Sequence, residues 1–317
     1  NSVELAGNLQ DYDRVVTDEA HRILKPEIYE EEIKEDDTKY TTIINNNINE
    51  NNNNILLSAT LDNPDNDNDL YYKVEIRDLI NQGILTDYQI KIPIFEDNAN
   101  DISVCQYIIK NYTNMIIYSS GHKEGMKITE TLNNISKNCA RYIYCNTPKQ
   151  ERKDIIKDFK KGNIKFLVNV RILIEGFNTK ICNGVILYHI SKNDKTIIQI
   201  VGRALRKYKN KLYAYIVLPF INTDDSKDLQ FILRVLANND PEIKQRCINK
   251  KLGGYIDIEI NKEYKEDKED DDDIQKENLM ETKIELVFDS LGKCIKGNVE
   301  LWRFKLEKVK RFIDENK

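Results

Sequence analysis

The 317-residue sequence contains no apolar run near the roughly 18 residues that a membrane-spanning helix requires. Its first residues lack both the basic start and the apolar stretch of a secretory signal peptide. Hydrophobic residues nevertheless make up 40% of the chain and charged residues 32%, which is typical of globular proteins. These observations predict a soluble, intracellular protein.

Cysteine and histidine are also scarce and scattered. The chain has six cysteines and three histidines, and no two cysteines form a C-x-x-C pair. This pattern predicts neither a zinc site nor a disulfide framework. The cysteines are expected to be reduced and mostly buried thiols.

A third absence is the glycine-rich phosphate loop, because no G-x-x-x-x-G-K-[ST] stretch occurs in the sequence. Residues 15–24, VVTDEAHRIL, nonetheless have the pattern of the magnesium-and-water half of a nucleotide-hydrolysing site. We therefore expect the sequence to be an excerpt of a longer protein whose phosphate-binding part precedes it. By itself, the polypeptide is then expected to lack hydrolytic activity.

The net charge of −5 hides a strong asymmetry. Residues 146–212 carry sixteen Lys or Arg and five Asp or Glu, whereas residues 263–273 carry eight acids and two lysines. The basic stretch suits a polyanion, although solvated helix faces would explain the charge equally well. The acidic run predicts a disordered linker, and the asparagine-rich residues 45–54 predict a flexible surface insertion.

The fold class is indicated by short apolar strands that alternate with helical segments. Such an alternation predicts an α/β fold with a parallel sheet, complete and doubly wound over residues 112–220. Residues 1–95 contain too few strands for a second complete domain. The predicted strands are 13–18, 55–60, 88–95, 115–120, 140–145, 164–170, 184–190 and 212–220, and the helices include 122–135, 148–162, 195–208 and segments within 227–248.

Two short motifs follow predicted strands in the first part of the chain. Asp18 would hold Mg²⁺ through a water molecule and Glu19 would polarise the attacking water, although these residues would equally suit a helix cap. His21 lies one step further, where it would sense a neighbouring domain. Ser58 and Thr60 would hydrogen-bond to this acidic motif or simply end a strand.

Two further motifs lie in the second half. One is VNVRILIEGFN, residues 168–178, in which Gly176 would let the backbone approach a ligand. Glu175 and Asn178 would contact a ribose, a phosphate-bound water or a nucleic-acid backbone. The alternative is a tight turn that simply requires glycine.

In QIVGRALR, Gln199, Arg203 and Arg206 would project from one helical face. Gly202 would leave room for close packing. Two arginines on such a face suit bidentate phosphate recognition, while a solvated face is the competing interpretation.

Together, DEAH, SAT, EGFN and Q-x-x-G-R-x-x-R closely resemble, in order and separation, the motifs of superfamily 2 helicases. The sequence is most similar to the branch of XPB-type and type III restriction-type motors, over about residues 10–220. Residues 72–95 resemble the segment that links the two motor domains of that branch. With its asparagine-rich insertion, the chain also resembles helicases of large DNA viruses.

The resemblance implies two RecA-like lobes that bind ATP and Mg²⁺ in a cleft and nucleic acid, DNA rather than RNA, across the top. Many relatives have Asp at the position of Asn178, which leaves its role open. Carried over by motif, Asp18 and Glu19 are implied to be the metal-binding and catalytic carboxylates, and His21, Ser58 and Thr60 to couple hydrolysis to movement. Gly176 and Asn178 are implied to contact the nucleotide and the nucleic-acid strand. Gln199, Arg203 and Arg206 are implied to lie on a helix that supplies arginines to the nucleotide site.

The implied domains are an incomplete first lobe (1–95), a second lobe (96–222), a helical extension (223–262), an acidic linker (263–279) and the start of a helicase-associated helical repeat (280–317). The last rests on an amphipathic pattern with Trp302. Two alternatives to a helicase stay open. One is the motor subunit of a restriction-like system, and the other is a non-catalytic nucleic-acid-binding module.

Overall fold

The computed structural model describes residues 16–17, 55–56, 74–95, 101–170, 181–188, 193–208, 210–249, 251–261 and 271–293. The chain forms two compact units, residues 1–73 and 74–317. In the first unit, the described residues are two short parallel strands, β1 (Val16–Thr17) and β2 (Ile55–Leu56). Both lie where the sequence predicts apolar strands.

The second unit is a seven-stranded sheet covered by helices. The sheet has the order β5-β6-β4-β7-β8-β3-β9, and every neighbouring pair is parallel. This confirms the predicted α/β fold for the unit. The strands are β3 (Asp87–Phe95), β4 (Met115–Tyr118), β5 (Ala140–Ile143), β6 (Phe166–Asn169), β7 (Gly184–Leu187), β8 (Tyr213–Val217) and β9 (Ile256–Asn261). The helices are α1 (Ile76–Asn81), α2 (Asp101–Asn111), α3 (His122–Ile135), α4 (Lys149–Lys161), α5 (Asp194–Ala204), α6 (Ser226–Asn239), α7 (Pro241–Asn249) and α8 (Asp271–Lys293), with a 3-10 turn at Thr223–Asp225.

The central strands are buried on both faces, which explains their unbroken apolar sequences. All four residues of β4, β6 and β7 are buried. Successive side chains point to opposite faces, so Ile116 enters one hydrophobic cluster and Ile117 the other. Among the described helices, none is long and apolar enough to cross a membrane.

The helix ends follow local sequence signals. Residue Asn193 precedes α5 and accepts a hydrogen bond from the backbone N–H of Thr196 at 3.0 Å. Gly162 ends α4 with a φ of +77°, a left-handed conformation that glycine adopts without strain. Its N–H donates to the carbonyl of Phe159. These caps place α4 and α5 within a few residues of their predicted bounds.

The predicted domain boundary after residue 95 is wrong. Strand β3 lies inside the sheet of the second unit, between β8 and β9, and the first unit ends at residue 73. On β3, Ile90, Ile92 and Ile94 are fully buried. An apolar strand pattern indicates burial but does not indicate which sheet the strand joins, so the sequence placed β3 in the wrong lobe.

The predicted helical extension also contains a strand. Within residues 223–262, the helices α6 and α7 are followed by β9, which pairs with β3 from Ile90↔Ile256 to Phe95↔Asn261. The sequence of β9 alternates apolar and acidic residues, a pattern typical of a half-buried edge strand.

The predicted acidic linker and separate repeat need a similar correction. Helix α8 begins at Asp271, inside the acidic run, where negative residues favour a helix N-terminus. Its residues Ile284 and Val287 belong to the main hydrophobic cluster of the second unit. The buried Lys283 donates to the carbonyls of Phe95, at 2.7 Å, and Ile221. The amphipathic pattern around Trp302 lies outside the described residues.

A partly buried ionic cluster fixes the segment that precedes β3. Arg77, on α1, donates to both carboxylate oxygens of Asp240, at 3.0 and 2.6 Å, and to Asp87 at 2.9 Å. The hydroxyl of Tyr88 also donates to Asp240, at 2.7 Å. Burial alone would lower the pKa of Arg77, but the two carboxylates outweigh it and raise that pKa. The cluster ties α1 and β3 to the junction of α6 and α7.

Replacing Asp240 by Asn keeps the size of the side chain and removes the charge that compensates Arg77. The two side chains are only 1% and 11% exposed, so Asp240→Asn should lower the free energy of unfolding by about 3 kcal/mol, measured by denaturant titration. The matched control, Asp224→Asn at an exposed aspartate, should change it by less than about 0.5 kcal/mol. Equal losses in the two variants would contradict a structural role for the cluster.

Candidate functional site

The carboxyl ends of the parallel strands meet at one edge of the sheet, where ligands of such folds bind. Tyr118 at the end of β4 and Ile143 at the end of β5 both pair with Asn169, so three strands end at the same level. Asn169 is fully buried and donates to the carbonyl of Ile117 at 3.2 Å. Strand β6 therefore ends at this edge, within the predicted ligand-binding motif 168–178, whose residues 171–178 lie outside the described residues.

Eight predicted site residues lie outside the described residues, and their roles stay predictions. Among the residues that are described, no group of three or more His, Cys, Asp or Glu is placed to hold a metal ion. The predicted Mg²⁺ ligands are among the eight. These are Asp18, Glu19, His21, Ser58, Thr60, Glu175, Gly176 and Asn178.

The remaining predicted residues lie on or just after α5. Gln199, Gly202 and Arg203 are partly buried positions of this helix. No described heavy atom lies within 4 Å of a Cβ built at Gly202, so close packing at this glycine stays a prediction. Burial raises the pKa of Tyr118, and the nearby positive charge of Arg203 opposes that rise. Arg203 therefore lies close to the end of β4.

Arg206 does not share the helical face that was predicted for it. Helix α5 ends at Ala204 with Leu205 as its C-cap, and Arg206 forms an isolated antiparallel bridge with Leu85. The N–H of Thr86 donates to the carbonyl of Leu205 at 2.8 Å. The carbonyls of Ala204 and Leu205, at the end of the helix, accept hydrogen bonds from donors outside it. The spacing of the three predicted residues could not show these donors.

One of those donors is a partly buried lysine. Lys211 donates to the carbonyl of Ala204 and, at 2.6 Å, to that of Cys182. Burial lowers the pKa of the Lys211 ammonium. A positive charge at a helix C-terminus is favourable. Lys207 adds a bond to the carbonyl of Gly83 at 2.8 Å. The backbone that carries Arg206 is thus held by the segment 83–86 and by Lys211.

An aromatic cluster, His122, Tyr142 and Tyr144, lies at the same edge of the sheet. The rings of Tyr142 and Tyr144 are parallel within 7° at 5.5 Å between centroids, and His122 lies 4.5 Å from Tyr144. Nδ1 of His122 is 3.1 Å from the Tyr142 hydroxyl. A Cβ at Gly125 would lie 2.5 Å from Cε2 of Tyr142, so only glycine lets this ring pack on α3.

A comparison with protein families identifies a known domain in the second unit. Residues 100–208 match the family model of the helicase conserved C-terminal domain. With the parallel sheet, this match supports a superfamily 2 helicase C-terminal lobe over these residues. The match spans β4 to β7 and ends two residues beyond Arg206.

Individual relatives of the lobe are distant. The chain is 25% identical over 158 residues to the UvrABC system protein B of Lactobacillus johnsonii, covering 45% of this chain and 24% of that protein. It is 26% identical over 165 residues to the ATP-dependent RNA helicase eIF4A of Saccharomyces cerevisiae, covering 48% of this chain and 40% of that protein. The chain thus spans less than half the length of these relatives.

A solved structure shares the fold over a longer range. The ATP-dependent Type ISP restriction-modification enzyme LlaBIII bound to DNA superposes with a TM-score of 0.63 at 16% identity. The superposition covers 89% of this chain and 24% of that enzyme. At this identity the likeness shows the fold alone.

The sequence motifs did not identify Lys211 or the aromatic cluster of the lobe. The capping role of Lys211 is recognised only through the carbonyls that it contacts, and these come from residues 182 and 204. Tyr142 and Tyr144 had a detectable signal, since residues i and i+2 at the end of a strand share one face. His122 reaches them only because α3 packs beside β5.

Removing the Lys211 ammonium should destabilise the C-terminal end of α5. Lys211→Met leaves two buried carbonyls without this donor and should cost about 2 kcal/mol in the free energy of unfolding. The pKa of Lys211 is lower in the folded lobe than its usual value of 10.5, so between these two values the unfolded chain binds more protons. Over that pH range, the free energy of unfolding of the natural protein should therefore rise with pH relative to that of Lys211→Met. Denaturant titration at several pH values measures both effects.

The matched control is Lys157→Met, at an exposed position of α4. It should change the free energy of unfolding by less than about 0.5 kcal/mol and without this pH dependence. Two indistinguishable variants would rule out the proposed capping by Lys211.

Proposed function

We propose that the protein is an ATP-dependent helicase or translocase of superfamily 2 that moves on nucleic acid, namely DNA. The observation that carries this proposal is the helicase C-terminal domain at residues 100–208, together with the arginine-bearing end of α5. In this proposal the first unit contributes the acidic motif, and the second contributes the arginines. The protein would hydrolyse ATP, with Mg²⁺ as the bound metal ion.

The arginines of the second lobe suit phosphate chemistry. The guanidinium of Arg206, and that of Arg203 one turn earlier, match phosphate oxygens bidentately. An arginine supplied across an interface accelerates phosphoryl transfer by roughly 10³–10⁵-fold in other motors. Their backbone is held in place by the bonds of Lys211 and of segment 83–86. This anchoring avoids the loss of rate that a misplaced arginine would cause.

The carboxylates of the acidic motif would complete the reaction. Asp18 would hold Mg²⁺, which when bound neutralises charge on the phosphate oxygens, and Glu19 would orient the attacking water. His21, Ser58 and Thr60 would respond to the nucleotide, and Gln199 would contact it from the second lobe. Gly176, Asn178 and Glu175 would approach both nucleotide and strand.

The segment that precedes β3 would provide a route for coupling. Residues 85 and 86 belong to the second unit and bond to the backbone of Leu205 and Arg206. A displacement of this segment would move Arg206 relative to its phosphate. ATP hydrolysis and lobe movement would then be linked through main-chain contacts, without a long side-chain relay.

A motor subunit of a restriction-like system is the second candidate. It is favoured by the fold shared with LlaBIII over 89% of the chain. Such an enzyme would use the same two lobes to track along DNA rather than to separate strands. A nuclease active site on the same polypeptide or in its complex would distinguish this candidate.

The catalytic assignment can be tested in a polypeptide that includes a phosphate loop upstream of residue 1. Its ATPase activity should rise with added DNA. Glu19→Gln and Arg206→Ala should each lower the rate of hydrolysis by roughly 10³-fold, since they remove the water-orienting carboxylate and the transition-state charge. The control Lys157→Met should hydrolyse ATP at the natural rate. Normal hydrolysis in both variants would refute the assignment.

The 317-residue chain should behave differently when purified alone. It lacks the sequence that holds the β- and γ-phosphates, so we expect nucleic-acid binding that weakens with salt but no ATP hydrolysis. Filter binding over a salt series and a phosphate-release assay would measure the two properties. Appreciable turnover by this chain would contradict the expectation.

A further inference from the structure

The aromatic cluster of the second lobe has an exposed side. His122 is exposed, and Tyr142 and Tyr144 are only partly buried. The ring of Tyr142 packs against Gly125 of α3, and its hydroxyl is hydrogen-bonded with His122. Tyr144, the residue after β5, contacts the rings of both His122 and Tyr142. The rings are therefore positioned in advance and still accessible.

The cluster lies at the carboxyl edge of the sheet, where ligands of parallel α/β folds bind. Strands β4, β5 and β6 end at the same level, and the cluster is formed by the residues that follow β4 and complete β5. Strand β6 lies between these two strands in sheet order. The aromatic cluster thus flanks the carboxyl end of β6.

The charge around the cluster suits a polyanion. The segments that contain it, residues 119–124 and 141–153, carry five Lys or Arg and two acids. One of the acids, Glu124, accepts hydrogen bonds from the N–H and hydroxyl of Ser120, at 2.7 and 2.9 Å. Aromatic rings beside positive charge are the combination that binds single strands, because bases stack on the rings while phosphates follow the charge.

We propose that His122 and Tyr144 form a stacking surface for the bases of a single nucleic-acid strand, supported from beneath by Tyr142. This inference rests on the proposed function and adds to it a site that contacts the faces of the bases, whereas the motor motifs would contact phosphates. Every base has a π-face, so the site would be indifferent to sequence. It would hold the strand at the edge of β5 while the other lobe moves.

The test compares two probes that share phosphates and differ in bases. Fluorescence anisotropy would measure the affinity of the 317-residue protein for an oligothymidylate of about 12 nucleotides and for an abasic oligonucleotide of equal length. The natural protein should prefer the thymidylate. Tyr144→Ala should weaken thymidylate binding roughly tenfold and leave abasic binding unchanged. Tyr144→Phe, which keeps the ring, should retain the preference.

The control variant is Tyr213→Ala, at an exposed tyrosine where β8 begins, on the opposite edge of the sheet. It should leave the affinities for both probes unchanged, and thermal unfolding would verify that each variant is folded. A thymidylate preference that survives Tyr144→Ala, or equal losses for the two probes, would overturn the stacking site and leave the proposed function standing. Failure of the natural protein to bind either probe would overturn both.

Discussion

The pairing of β3 with both β8 and β9 is the constraint on which the rest of the second unit depends. It inserts a nine-residue strand into the sheet. At its amino end, Asp87 accepts a hydrogen bond from Arg77 on α1, and Tyr88 donates one to the buried Asp240. At its carboxyl end, the strand presents the carbonyl of Phe95 to Lys283 on α8. One strand thus joins α1, the helices α6 and α7, and the last described helix into a single core.

The same insertion places the candidate catalytic arginine. Residues 85 and 86 immediately precede β3, and their backbone bonds to Leu205 and Arg206. Lys211, just before β8, captures the end of α5 from the other side. Arg206 is therefore placed by main-chain contacts with neighbouring strands, whereas Arg203 is placed by the helix.

Much of the second unit was predictable from residue patterns. Apolar runs such as 115–120 and 184–190 predicted β4 and β7, because central parallel strands are buried on both faces. The helices α3 and α4 followed from amphipathic spacing and from the glycine at 162. Errors arose because a pattern of apolar residues does not indicate which other strand or helix an element packs against. The apolar strand 88–95 was assigned to the wrong unit, and β9 and the core position of α8 were missed.

The sequence by itself determined the alternating strands and helices, the order of the motifs and the kinds of side chain available for chemistry. Those properties are local, because they depend on the spacing of a few neighbouring residues. Only the tertiary structure decided that α5 ends at Ala204, that Lys211 caps it, and that His122 meets Tyr144. Each of these depends on groups that are distant along the chain and become neighbours only when the sheet assembles, and a buried carbonyl or ammonium must then find its partner there.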